Sequence, residues 1–189
     1  MKRFGLAFVR WFDSWAGVDE SADQVHGVDW TRVLPFLAMH LACLAVLWVG
    51  VSPVAVAVAV AGYFLRMFAI TAFYHRYFSH RSFRTSRVVQ FLGGFLGAAS
   101  TQRGPLWWAA HHRLHHRHSD EPADVHSPVQ YSFLTSHMGW FLDTANFRTR
   151  TEQIPDLMKF PELRLLDRFD LLAPITYASA CLLLGIALE

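Results

Sequence analysis

From Val33 to Val51, roughly 19 residues pass without a single charge, the length at which a helix crosses the hydrocarbon core of a bilayer. Such a segment limits the fold sharply. Inside lipid every backbone N–H and C=O must be satisfied within the segment, and a helix does this alone. The composition agrees: 53% of residues are hydrophobic and the mean hydropathy is +0.22, above the usual soluble mix. Two further apolar stretches follow, about 54–73 and about 171–188. Ser52-Pro53 between the first two reads as a tight turn. Pro174 is tolerable in a first helical turn. Residues 91–99, with Val88 and Val89, are too short to cross and read as a re-entrant or interfacial helix. Tyr131 to Phe141 reads as a short aromatic helix. The expected fold is all-α: one integral membrane domain over 1–189, with about three transmembrane helices, interfacial helices and a cytoplasmic histidine-rich cap.

Two polar residues interrupt these spans. His40 is expected to bond to a neighbouring helix rather than to a metal. Arg66 is expected to face protein, water or a headgroup rather than lipid tails. Residues 1–31 lack a long apolar run, so they read as a cytoplasmic or interfacial lead-in and not as a signal peptide. Its aromatics, Phe4, Phe8, Trp11, Phe12 and Trp15, are expected at headgroup level. Cys43 and Cys181 form no zinc-like spacing and are expected to be buried apolar residues. Arg76, Arg81, Arg84, Arg87, Arg103, Arg113 and Arg117 all fall between the second and third spans. The positive-inside rule places that loop in the cytoplasm, and the histidines with it.

Eleven histidines are many for 189 residues. His75 and His80 form one group. His112, His115 and His116 form a second, with His111 before it and His118 after it. On a helix the three residues of the second group share a face. His75 and His80 are five apart, about 140° round an ideal helix, and converge only if the helix ends or bends between them. Imidazole is a common ligand for borderline metals. No HExxH motif for a zinc protease occurs, and no cysteine lies close enough to ligate. A nucleic-acid-binding basic loop fits poorly with a region pressed against membrane segments. A metal site remains, and its chemistry alone fits iron or zinc.

The pattern HxxxxH at 75–80 followed by HxxHH at 112–116 resembles the first two histidine boxes of the membrane fatty acid desaturases. The flanks are similar to the stearoyl-CoA (acyl-CoA delta-9) desaturase type: His75-Arg76 through Ser79-His80-Arg81-Ser82-Phe83, Gly104-Pro105-Leu106-Trp107-Trp108, Asp124-Val125-His126-Ser127, and Ser136-His137-Met138-Gly139-Trp140. The resemblance implies a pair of iron ions, dioxygen as oxidant, and a cis double bond inserted into a long-chain acyl-CoA or acyl-lipid. It implies His75, His80, His112, His115 and His116 as iron ligands. It also implies Asp124, His126 and His137 as groups that fix ligand tautomers, and Trp107, Trp108 and Trp140 as lining for the acyl chain. The hard hydrogen abstraction belongs to the cofactor. Two electrons per turnover must come from a partner, and an arginine-rich face suits an acidic carrier such as a cytochrome b5-like protein or a ferredoxin.

The family's third box has no counterpart, because no histidine follows His137. The expectation is therefore a chain truncated before that box. Two alternatives stand beside the desaturase: an inactive membrane remnant that binds metal or lipid, and a related di-iron alkyl hydroxylase.

Overall fold

The computed structural model describes residues 2–18 and 20–188. In chain order the helices are α1 (Lys2–Phe12), α2 (Trp30–Ala42), α3 (Val46–Val49), α4 (Pro53–Phe68), α5 (Arg87–Ala98), α6 (Pro105–Arg117), α7 (Trp140–Leu142), α8 (Pro161–Arg168) and α9 (Leu172–Leu188). A 3-10 turn, Cys43–Ala45, joins α2 to α3, and α4 runs on into a π-helical segment, Ala69–Ser79. A second π turn, Thr135–Gly139, leads into α7. Among the described residues there is no strand, only an isolated bridge between Val28 and Asp143.

Local chemistry sets where the membrane helices begin. Asp29 caps α2 by accepting from the Thr31 N–H. Ser52 caps α4 by accepting from the Ala55 N–H, and Pro53 takes the first helical position, where its missing N–H is harmless. Gly50, with φ 76°, makes the reversal between them. Two runs are long and apolar enough to cross a membrane, Trp30–Val49 and Pro53–Ser79. Only 6% and 11% of them are buried within the chain, so their apolar faces are left for lipid. The third apolar stretch forms α9, which follows α8 at a bend of 73°.

Several expectations are corrected here. The second apolar run does not stop at residue 73 but continues as helix to Ser79, carrying His75 on its last turns. His40 bonds within its own helix: Nδ1 lies 2.8 Å from the Phe36 carbonyl oxygen. Cys43 is exposed and Cys181 only partly covered, because both sit on helices with few protein neighbours. Arg66 donates to the Gly62 carbonyl at 3.0 Å and stacks 4.6 Å over the Tyr177 ring, so its charge faces protein. Trp15 does not lie free on the surface of the lead-in. It is partly buried and packs against the core. Phe8 and Phe12 remain exposed, while the Phe4 side chain lies outside the described residues.

The core lies at one end of the spans. Tyr74, Phe78, Leu106, Ile154 and Leu163 are its large, fully buried members. Burying each such side chain contributes roughly 1.5–3 kcal/mol. Helix α5 approaches the π segment through glycines: a Cβ on Gly97 would stand 2.2 Å from the Tyr74 ring, and one on Gly93 2.1 Å from Phe73.

Asp167 joins this core to the chain's beginning. Its carboxylate is buried and accepts from the Trp107 N–H (2.7 Å), the Trp15 indole (2.9 Å) and the Thr149 hydroxyl (2.7 Å). Gly104, the residue before α6, has no side chain to cap the helix. A Cβ there would stand 2.3 Å from the Asp167 Cα, so Asp167 comes close enough to cap α6 in its place. An amide would turn N–H against donors. Asp167→Asn should therefore cost about 1–3 kcal/mol, read as a lower thermal midpoint in detergent. An unchanged midpoint would mean the three bonds do not operate.

Candidate metal centre

The winding of Ala69–Ser79 places the first two histidines. In a π-helix the i→i+5 hydrogen bond stacks residues five apart. The His80 N–H bonds to the His75 carbonyl oxygen at 3.1 Å. His75 and His80, about 140° apart on an α-helix, thus share a face here. Their Nε2 atoms are 3.1 Å apart. Arg81, with φ 54°, then turns the chain away.

Helix α6 brings the next two. His112 and His116 are one turn apart with rings 4.5 Å between centroids. His80 Nε2 is also 3.1 Å from His112 Nε2. The ligand atoms of His75, His80, His112 and His116 all lie within 4.8 Å of one another.

This arrangement suits a cation better than a hydrogen-bond network. A neutral imidazole has one N–H, so a proton on His80 Nε2 serves one neighbour and leaves the other facing it lone pair to edge. A metal at about 2.0–2.1 Å from each nitrogen would set adjacent donors about 3 Å apart, as found. Two of the rings, His112 and His80, are also shifted towards the neutral form that binds metal. Burial, then the neighbouring His116 and His75, pushes the His112 pKa down to about 3. Burial, then His75 and His116, lowers that of His80.

His115 does not join this group. Its ring is 6.3 Å from His112, and it turns instead to Asp124 and His126, with which it makes a second set of donors within 4.8 Å. The single face expected for His112, His115 and His116 is therefore divided between two clusters. The i+3 and i+4 steps diverge enough to feed neighbouring sites. His115 Nδ1 is 2.9 Å from an Asp124 oxygen. Asp124 is fully buried and also accepts from the backbone N–H of Asp120 and His126. The His126 ring stacks on His115 at 4.2 Å.

The comparisons with known proteins bear on what these clusters are. The fatty acid desaturase family model matches residues 48–188. The chain belongs to the fatty acid desaturase family. It is 33% identical over 165 residues to the palmitoyl-monogalactosyldiacylglycerol delta-7 desaturase of Arabidopsis thaliana chloroplasts, covering 84% of this chain and 43% of that protein. It is 35% identical over 117 residues to the sn-1 stearoyl-lipid 9-desaturase of Anabaena variabilis, covering 61% of this chain and 43% of that protein. A probable chloroplastic lipid desaturase of Arabidopsis thaliana is 36% identical over 61% of this chain and 32% of its own length. The chain spans less than half the length of these relatives. Desaturases are oxidoreductases known for di-iron centres, and two adjacent histidine-bearing clusters fit that requirement by donor chemistry.

Other candidate residues of this desaturase-family chain fall around the clusters. Trp108 stacks on the His112 ring at 4.7 Å. Trp107 is buried, donates to the Asn146 carbonyl and stacks on Trp140 at 5.4 Å. Trp140 also lies 4.8 Å from His126. His137 belongs to neither cluster: its ring stacks on Phe133 at 5.4 Å. His111 is buried between Trp107 and Trp140. Burial, then Arg150 and Arg103, pushes its pKa down to about 3.

One residue inside the second box went unnoticed as a functional candidate. Arg113 sends its guanidinium to the Phe78 and Ser79 carbonyls (2.6 and 3.2 Å), to the Gln153 carbonyl (3.2 Å) and, through two bonds, to Asp156 (2.7 and 3.1 Å). Arg81 pairs with the same carboxylate. Burial pushes Asp156 up, but Arg113 and Arg81 outweigh it and hold its pKa below the ordinary value. The clamp ties the carbonyl end of the π segment to α6, and so His80 to His112. Lysine keeps the charge and loses the fork. Arg113→Lys should weaken iron binding about ten- to hundredfold with helical content unchanged by circular dichroism. Unchanged iron affinity would remove the clamp from the account.

Proposed function

We propose that this chain carries the oxygen-activating part of a fatty-acyl desaturase that inserts a cis double bond into a long-chain acyl-lipid or acyl-CoA. The observation that carries the reading is the convergence of His75, His80, His112 and His116 at metal-ligand spacing, within a family whose named members are desaturases. These four histidines would hold one iron. His115 would serve the second, with Asp124 accepting its Nδ1–H so that Nε2 keeps a lone pair for the metal. His126 lies beside it.

Removing hydrogen from an unactivated chain lies beyond side-chain acids and bases, so the iron pair supplies the oxidising chemistry when bound. The reaction balances as one dioxygen, two electrons and two protons, with two hydrogens leaving adjacent carbons, giving an alkene and two waters. The protein's part is placement. Trp108 stacks on His112 of the first cluster and Trp140 lies against His126 of the second, with Trp107 stacked on Trp140; these aromatic surfaces suit lining the acyl chain and excluding water. The electrons come from a partner of the cytochrome b5 or ferredoxin kind, docking on the arginine-bearing surface. The protein is multi-pass, with its histidines on the cytoplasmic side. The stearoyl-CoA subtype is part of the same proposal. The lipid-linked acyl groups in two relatives' names favour an acyl-lipid among the substrates.

The test is the fatty acid profile of cells expressing the protein. Gas chromatography should show a new monounsaturated acid, and His112→Ala should abolish it. A hydroxylated acid would assign the alkyl hydroxylase instead. Product surviving in the His112→Ala variant would sink the ligand assignment.

A further inference from the structure

Arg32 sits in the first turn of α2, where that helix enters its apolar run. Its side chain is only 8% exposed. Its Nε and Nη2 atoms are buried and find no hydrogen-bond partner among the described residues. Unpaired buried donors of a charged group are costly and ask for an acceptor. Asp29 is the nearest candidate, but its Oδ2 stands 3.8 Å from Arg32 Nε, outside bonding range, and 4.0 Å from Arg10 Nη1. The other Asp29 oxygen is occupied by the N–H and hydroxyl of Thr31. Arg32 packs its guanidinium 4.8 Å over the Phe147 ring, which holds it in place without accepting a proton.

The guanidinium lines a small cavity of about 30 Å³, shared with Arg10, Asp29, Thr144 and Phe147. That is room for about one or two water-sized groups, so oxygens can enter but a whole headgroup cannot. The charge around it favours an anion. Arg103 is neutralised by Asp170 at 2.8 Å, leaving Arg10 and Arg32 against Asp29 alone, a net single positive charge. Phe8 and Phe12 on α1 and Trp30 at the start of α2 are exposed aromatics, of the kind that settle at the membrane–water boundary.

We propose that this corner of α1, α2 and the 144–147 turn is a binding site for the phosphate of an anionic phospholipid headgroup, with Arg32 as the principal donor. A phosphodiester carries one negative charge and matches the net charge of the site, whereas the fixed positive charge of a choline would be repelled by Arg10 and Arg32, so an anionic lipid is favoured over a zwitterionic one. Free phosphate carries more and meets Asp29. The guanidinium fork is the group best shaped for phosphate oxygens, and basic pockets beside membrane helices are where such headgroups dock. The lipid would anchor the lead-in against the first span, and the site does not depend on the desaturase reading.

The test is native mass spectrometry of the delipidated wild-type protein titrated with phosphatidylglycerol, with phosphatidylcholine, and with inorganic phosphate. One phosphatidylglycerol should stay bound at about tenfold lower concentration than phosphatidylcholine, and inorganic phosphate should not displace it. Arg32→Gln should weaken phosphatidylglycerol binding about tenfold or more, the effect of losing charge-assisted bonds. Arg32→Lys should retain part of it. Equal retention of the two lipids by wild-type protein would overturn the proposal, and needs no variant to fold. So would displacement by phosphate, which would make the site one for a free ion, or an Arg32→Gln variant that binds like wild type.

Discussion

The i→i+5 winding of Ala69–Ser79 is the constraint on which the proposed metal centre depends. An α-helical continuation of α4 would point His75 and His80 about 140° apart, and no single ion would reach both. The π form is rare, and it persists where tertiary packing over-determines it. Here that packing is visible. Tyr74 and Phe78 are fully buried from this segment. Tyr74 donates to the Arg103 carbonyl, and the Ser79 hydroxyl donates to the Tyr74 carbonyl. Arg113 accounts for the last carbonyls. The glycines of α5 allow the wide segment to lie close.

The same helix is long and apolar enough to cross a membrane and carries His75 near its end. Pro53–Ser79 is continuous, so the first cluster sits at the end of that apolar run rather than on a loop. Helix α6 lies across that end, held at its start by Asp167 and near its finish by the Arg113–Asp156 clamp. Both tethers come from residues after 150, so the region beyond the histidines does structural work for them. A site of neutral imidazoles cannot balance a metal's charge by itself, which gives weight to the buried carboxylate of Asp124 beside His115.

The sequence made some of this legible. Uncharged runs announce spans because the bilayer admits little else, and Ser52-Pro53 announces a helix start. Five histidines at two spacings announce a metal site. What the spacing hid was the winding: periodicity arguments assume 3.6 residues per turn, so the convergence of His75 and His80 was readable only as an end or bend. The separation of His115 from His112 and His116 was hidden too, because it depends on where Asp124 and His126 fold back. Trp15 looked interfacial because its partner, Asp167, is far away in the sequence. Arg113 looked like one more basic residue of a cytoplasmic loop. In each case the deciding contact is long-range, and local pattern does not record it. Arg66 shows the reverse: a charge in a span had to face something, and Tyr177 with the Gly62 carbonyl is what it faces.

The most direct measurement is anomalous diffraction at the iron edge from crystals of the iron-loaded protein. The account predicts a peak within about 2.0–2.3 Å of ring nitrogens of His75, His80, His112 and His116 together. A peak bound by only one of the two histidine pairs, or rings that swing apart and leave iron elsewhere, would contradict it.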